Sequence, residues 1–194
     1  MDLTTNPLTT FEDWYQQALK SDEADPSAMA LATATLDGKP SVRIVLYKGL
    51  SQGGFLIYTN YDSRKGMEML QNPFVSFVIY WPRCYRQVRV EGHVERISAE
   101  LSEQYFSTRP RGSQIAASIS EQSHAVPDRN YLLEKYAEFE LAHKDQSIAC
   151  PEDWGGYRII PDVIEFWQGQ EHRLHDRYCY RKQKDGWSMT RLAP

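Results

Sequence analysis

The sequence predicts a mainly β protein, an antiparallel sheet closed into a β-barrel with helices outside it. Three observations carry this expectation. Period-two stretches dominate residues 26–97 and return over 154–194. Tight-turn residues such as Asp37-Gly38 punctuate them. Helical spacing is confined to the first 25 residues, a short insert at 63–71, and the segment 98–145. No repeat, low-complexity run or linker divides the 194 residues, so they read as one domain.

Each element has its own signal. Phe11 to Lys20 sets Phe11, Trp14, Tyr15 and Ala18 at helical spacing. Thr9 or Thr10 is the expected N-cap, because a hydroxyl accepts the unpaired amides of a first turn. Ala28 to Leu36 and Ser41 to Lys48 flank Asp37-Gly38 as an antiparallel hairpin. Phe55 to Thr59 follows Gly53-Gly54 as a third strand. Ser63 to Gln71 reads as a short helix stopped by Asn72-Pro73, since proline disfavours a helical residue before it. Phe74 to Trp81 and Tyr85 to Ile97 return to strand composition. Ser98 caps a helix running to about Thr108, with Glu100 and Glu103 near its positive end. A second covers Ser113 to Ile119, and Asp128 caps a third with Leu132, Leu133, Tyr136 and Phe139 at helical spacing. From Trp154 to Leu192 the chain is strand-rich, with Lys184-Asp185-Gly186 turning its last hairpin.

Composition narrows the function classes. Lys plus Arg number 22 against 26 Asp plus Glu, a formal net charge of −4, which argues against nucleic acid or a membrane surface as partner. The apolar stretch Phe74 to Trp81 is far short of the roughly 20 residues a bilayer span needs. Met1-Asp2-Leu3-Thr4-Thr5 lacks the basic and apolar regions of a secretory signal. Cys84, Cys150 and Cys179 form no Cys-x-x-Cys pair, which suits a reducing, cytoplasmic setting. Glycine-rich nucleotide loops and the hydrolase elbow are missing. His172 and His175 fall in strand-like sequence that sets them on opposite faces, so no metal site is expected. The chemistry must rest on an organic cofactor or on dispersed polar groups.

Four cationic groups stand out. In an extended strand Arg173, His175 and Arg177 share one face, with Leu174 and Tyr178 behind them. Two guanidiniums and an imidazole suit an anionic, planar ligand, whereas Asp176 and Glu171 could equally make this a solvated charged face. Arg43 and Lys48 differ by five positions, so a regular strand sends them to opposite faces; they serve one ligand only at its two ends or with a bulge between them, and a half-exposed strand is the alternative. Ser63-Arg64-Lys65-Gly66 puts two cations at the positive end of a helix, a tension that a phosphate resolves. Tyr105 and Arg109 are i, i+4 neighbours and Ser113 follows Pro110; these three gather around a second anion or form a surface pair with a capping serine. Together the cations suggest two phosphate-bearing ligands. Spacing assigns nothing to Gln87, Gln122 and Ser123, and Trp167 reads as core.

With those residues in view, the chain resembles the pyridoxine/pyridoxamine 5′-phosphate oxidases. The resemblance runs in order from about Pro7 to Pro194. It is carried by Arg43 to Lys48, Tyr58-Thr59-Asn60, Ser63-Arg64-Lys65, Arg86-Gln87-Val88, Tyr105-Phe106 with Arg109-Pro110-Arg111, Gln122-Ser123, Glu165 to Gly169, Glu171 to Arg177 and Arg191 to Pro194. It implies an FMN-binding split β-barrel and a homodimer with FMN at the subunit interface. By position Arg43, Ile44, Val45, Leu46, Lys48, Tyr58, Thr59, Arg64, Lys65, Gln87, Gln122, Ser123, Trp167 and Arg177 are similar to the flavin-binding set. Lys48, Tyr105, Arg109 and Ser113 resemble a clamp for the substrate phosphate, and Arg173 and His175 the catalytic pair over the reacting face. The implied reaction oxidises pyridoxamine or pyridoxine 5′-phosphate to pyridoxal 5′-phosphate, with O2 as acceptor and H2O2 as by-product.

Three departures mark this chain against the family it resembles. A basic, aromatic leader that covers the active site in many relatives is not seen before Asp2-Leu3, so pocket closure is expected to differ. Gln170 stands where a second glycine is common, and His124 where a small residue is usual. The rival readings are a flavin oxidase of a phenazine-type substrate and a flavin- or pyridoxal-phosphate-binding protein without turnover.

Overall fold

In the computed structural model, which describes residues 3–194, nine strands join in one antiparallel sheet. Met1 and Asp2 lie outside the described residues, and with them the start of the N-terminal stretch discussed above. The strands are β1 (Ala28–Ala34), β2 (Pro40–Leu46), β3 (Leu50–Ser51), β4 (Gly54–Asn60), β5 (Phe74–Trp81), β6 (Arg86–Arg96), β7 (Trp154–Gln168), β8 (Asp176–Gln183) and β9 (Gly186–Leu192). The helices are α1 (Pro7–Leu19), α2 (Arg64–Gln71), α3 (Ala99–Thr108), α4 (Arg111–Ile119) and α5 (Arg129–Ala142). No helix among the described residues is long and apolar enough to cross a membrane.

The main path runs β2-β1-β5-β6-β7-β4-β3. It curls back on itself where Lys48 N–H donates to Leu56 O and Leu56 N–H to Gly49 O, both at 2.9 Å, laying the continuation of β2 beside β4. β7 splits its partners: Trp154 to Ile159 pair with β4, whereas Val163 to Gln168 pair with β8. The β6–β7 register shifts between Glu91 and Gly92. A Cβ on Gly92 would lie 2.0 Å from Ile160 O, so the close approach of the two backbones requires glycine there.

Phe11 and Trp14 of α1 are buried against the sheet, Phe11 edge-on to Phe55 at 4.9 Å and Trp14 edge-on to Phe166 at 5.1 Å. A smaller core of Phe106, Ile115, Ile148 and Trp154 lies under α3 and α4. Ser63, Ser98 and Asp128 cap α2, α3 and α5 as expected, accepting from Gly66, Leu101 and Tyr131 N–H.

Some elements differ from expectation. α1 begins at Pro7 with Asn6 as its cap, because proline fits the first helical position and Asn6 Oδ1 accepts from Leu8 N–H. α4 begins at Arg111 after Pro110, so Ser113 lies inside its first turn and is not a cap. α5 buries no residue fully: Leu132 and Leu133 are exposed, and only Tyr136 and Phe139 pack inward. The largest difference is at 171–175. A 3-10 turn over Glu171–Arg173 holds His172 and Arg173 at φ of 55° and 61°, and β8 starts only at Asp176. Arg173, His175 and Arg177 therefore do not share a strand face, and Leu174 is exposed.

Candidate functional site

Between β2, β4, α2 and α3 lies a cavity of about 510 Å³. Twelve of the residues singled out above line it: Arg43, Ile44, Val45, Leu46, Lys48, Tyr58, Thr59, Lys65, Tyr105, Arg109, Ser113 and Gln122. Arg43 and Lys48 both line it although their five-residue spacing sets them on opposite faces: exposure alternates without a break from Ser41 to Lys48, and the cavity takes residues from both faces of β2.

The cavity is rich in cations and poor in partners for them. Lys65 is 9% exposed, and its Nζ donates to Thr59 Oγ1 (3.0 Å), Ser63 Oγ (3.4 Å) and Gln122 Oε1 (2.6 Å), none of them a carboxylate. Burial, with Arg43 nearby, pulls its pKa down to about 8. Arg109 caps the end of α3 with its guanidinium 4.6 Å from the Trp154 ring centre. Its buried NH1 has no hydrogen-bond partner among the described residues, and burial lowers its pKa. A buried ammonium without a carboxylate and a buried guanidinium nitrogen without a partner each await an anion. Tyr58, Tyr105 and Trp154 stack nearly parallel beside them, with Tyr58 and Tyr105 ring centres 3.8 Å apart. The donor set and the flat walls together fit a phosphate ester of a planar heterocycle.

Behind the cavity, Glu68 on α2 is buried. It accepts from Thr33 Oγ1, from Ser41 Oγ (2.7 Å), from Arg64 Nε (2.9 Å) and from Arg43 at 3.4 Å. Burial would raise its pKa, but the bonds from Thr33, Ser41 and Arg64 outweigh this and hold it at about 2. Arg64 thus relieves its place at the start of α2 through Glu68 and points away from the cavity lining, contrary to the tension expected at this helix end.

Six residues gathered by the sequence reading lie elsewhere in this chain. Gln87 pairs with Trp167, and Trp167 with Arg177, across β6, β7 and β8. Trp167 is half-buried rather than core, its ring 4.7 Å from that of His175. His175 Nδ1 accepts from Gln170 N–H at 3.1 Å, and the Gln170 side chain donates to Asp176 Oδ2 at 2.8 Å. Arg177 Nε donates to the buried Glu165 (2.8 Å) and its NH1 to Ala193 O (3.0 Å). Arg173 is exposed in the neighbouring turn. Trp154 lines the cavity and Trp167 belongs to this second group, 13 positions apart on β7, or roughly 40 Å along an extended strand. Ser123 is exposed at φ of 73° just past Gln122. The cavity also takes Thr108, Pro110 and Trp154, which spacing did not mark. The run of aromatic residues on α3 and β4 was the available hint for Trp154.

Comparison with known proteins bears on this arrangement. The family model described as pyridoxamine 5′-phosphate oxidase matches residues 15–142, and the one described as the pyridoxine 5′-phosphate oxidase C-terminal dimerisation region matches 154–194. The pyridoxine/pyridoxamine 5′-phosphate oxidase of Coxiella burnetii is 55% identical over 194 residues, covering all of this chain and 98% of its own. That of Acaryochloris marina is 45% identical over 193 residues, covering 100% of this chain and 88% of its own. Among solved structures, PhzG from Burkholderia lata in complex with tetrahydrophenazine-1-carboxylic acid superposes with a TM-score of 0.94 at 29% identity, over 100% of this chain and 95% of that one. A pyridoxamine 5′-phosphate oxidase-related, FMN-binding protein from Nostoc punctiforme shares the fold, with a TM-score of 0.80 at 16% identity over the full length of both chains. Matched over residues 15–142 and 154–194 by both halves of one family's signature, the chain belongs to the pyridoxamine 5′-phosphate oxidase family.

Proposed function

We propose that this protein oxidises pyridoxamine 5′-phosphate and pyridoxine 5′-phosphate to pyridoxal 5′-phosphate, using FMN as cofactor and O2 as acceptor and releasing H2O2, with water consumed and ammonia released in addition from the amine. The observation that carries the reading is the buried Lys65 ammonium and the half-buried Arg109, whose buried NH1 has no partner among the described residues, set beside stacked aromatic rings in one cavity. Two such cations call for two phosphates, one on the flavin and one on the substrate. When bound, FMN supplies the electron chemistry by accepting a hydride and passing electrons to dioxygen.

The residues of this chain supply charge and placement. Lys65, Arg43, Thr59 and Gln122 hold the flavin phosphate and ribityl chain, with Ile44, Val45 and Leu46 presenting the β2 backbone and Tyr58 a flat wall. Arg64 and Ser123 stand at the margin of that site. Lys48, Tyr105, Arg109 and Ser113 grip the substrate phosphate, and fixing that end orients the reacting carbon as well as adding affinity. His175 accepts at Nδ1, so the neutral ring carries its proton on Nε2 and offers a donor there. Arg173 and His175 orient the substrate, while Gln87, Trp167 and Arg177 face the flavin.

Because β7 separates these last five from the cavity, the reading requires a homodimer in which the β8 group of one subunit completes the cavity of the other, with FMN at the interface. The C-terminal dimerisation region and the exposed apolar stripe Val42, Ile44 and Leu46 on β2 support this. A reducing, cytoplasmic setting, with neither nucleic acid nor membrane as partner, completes the proposal, in keeping with three free cysteines.

Aerobic incubation of the FMN-loaded protein with each B6 phosphate, following peroxide and pyridoxal phosphate together, tests it. Equal yields of both products are expected. Yellow protein that leaves pyridoxamine phosphate unchanged in air would mark a binding protein. Turnover of a reduced phenazine carboxylate instead would favour the activity suggested by the PhzG likeness, although a clamp of Lys48, Tyr105, Arg109 and Ser113 suits a phosphate dianion better.

A further inference from the structure

We infer that Glu68 is a positioning residue for the flavin phosphate, acting through Arg43 without touching the ligand. This rests on the reading of the cavity given above. Glu68 does not line the cavity, whereas Arg43 does. The carboxylate lies behind the guanidinium, 3.4 Å from its NH2, and Thr33 and Ser41 bridge the two. Each hydroxyl donates its single proton to Glu68 Oε2. Each also accepts from Arg43, Thr33 from NH1 at 2.6 Å and Ser41 from NH2. A hydroxyl has one proton and two lone pairs, so Glu68, by taking both protons, turns both sets of lone pairs toward Arg43. Leu31 O accepts from Arg43 NH1 at 3.1 Å and completes the seat. Glu68 Oε1 meanwhile takes Arg64 Nε, tying the start of α2 to β2. Without the carboxylate the hydroxyl protons are free to swing toward the guanidinium, and Arg43 loses its fixed direction.

Coulomb's law alone makes the opposite forecast. Removing a negative charge from behind an anion site should tighten anion binding. The sign of the change therefore separates positioning from bulk charge.

The test titrates apoprotein with FMN, read by flavin fluorescence, for wild type, Glu68→Gln, Arg43→Ala and the double variant, with riboflavin as a ligand lacking the phosphate. Glu68→Gln is expected to bind FMN about tenfold more weakly, the scale of one charge-assisted contact. Riboflavin affinity is expected to stay within about twofold, and so is FMN affinity when Glu68→Gln is added to Arg43→Ala. Equal or tighter FMN binding by Glu68→Gln overturns the role, as does a matching loss for riboflavin or an undiminished loss in the Arg43→Ala background. If Glu68→Gln fails to fold, Ser41→Ala removes one relay hydroxyl at a half-exposed position, and unchanged FMN affinity there overturns the role. Wild-type protein that binds no FMN overturns the cavity reading and this role together, whereas FMN binding by wild type with no effect at Glu68 overturns the role alone.

Discussion

Raising the pH through 8 should loosen FMN, and Lys65 sets the size of the effect. Its ammonium is buried with no carboxylate beside it, so the free site holds its proton only up to a pKa of about 8, against 10.5 ordinarily. A phosphate at hydrogen-bond distance restores a counter-charge and raises that value again. Below pH 8 the lysine is charged both before and after binding, and affinity is flat, the phosphate being already a dianion above about pH 6. Above pH 8 the free site has lost the proton and binding must take one up, so the dissociation constant climbs by up to about tenfold per pH unit. At pH 9.5 the loss reaches roughly 30-fold, about 2 kcal/mol. For the apoprotein the sign is reversed: the cost of burying the ammonium is present in full below pH 8 and fades as the pH rises toward 10.5, so this group favours the empty fold at high pH. Fluorescence titrations from pH 7 to 9.5 measure the slope, with Lys65→Met as the control that binds weakly and without pH dependence. A flat profile to pH 9.5, or a slope that survives in Lys65→Met, would refute the argument.

Arg109→Ala should raise KM for pyridoxamine 5′-phosphate by roughly 10- to 100-fold, the loss of one charge-assisted bond, while FMN affinity stays constant; loss of FMN instead would show that the cavity is divided differently. Arg173→Ala should lower both turnover and substrate affinity in protein that remains yellow, and release of flavin on dialysis would contradict its placement over the substrate. Gly92→Ala should destabilise the fold by about 1–3 kcal/mol in denaturant titration, since its new methyl group meets Ile160 O and β6 and β7 must part; a midpoint equal to wild type would mean that the bulge relaxes freely.

Local chemistry was the most legible part of the sequence. The caps Ser63, Ser98 and Asp128 act within a turn of themselves, and β5 matches its apolar run from Phe74 to Trp81 residue for residue. Failures came where one residue changes the frame. Alternation through Lys48 was readable from spacing, but not that one cavity takes residues from both faces of β2. The extended reading of 171–177 broke on the positive φ at His172 and Arg173, which neither residue type announces. At the site, residue types pointed to two anions, and the cavity gathers Arg43, Lys65 and Arg109 accordingly. Trp154 escaped notice because a ring that opens a strand looks like core until its neighbours Tyr58 and Tyr105 are known. The distance between Trp154 and Trp167 was implicit in the length of β7.

The reach of β7 has a genetic consequence. If one polypeptide contributes the basin with Lys65 and another contributes Arg177, then two proteins, each inactivated at a different one of these positions, can rescue one another when refolded as a mixture. Random reassortment yields hybrids in half of the pairs, each with one intact centre and one doubly broken, and so roughly a quarter of the original capacity returns.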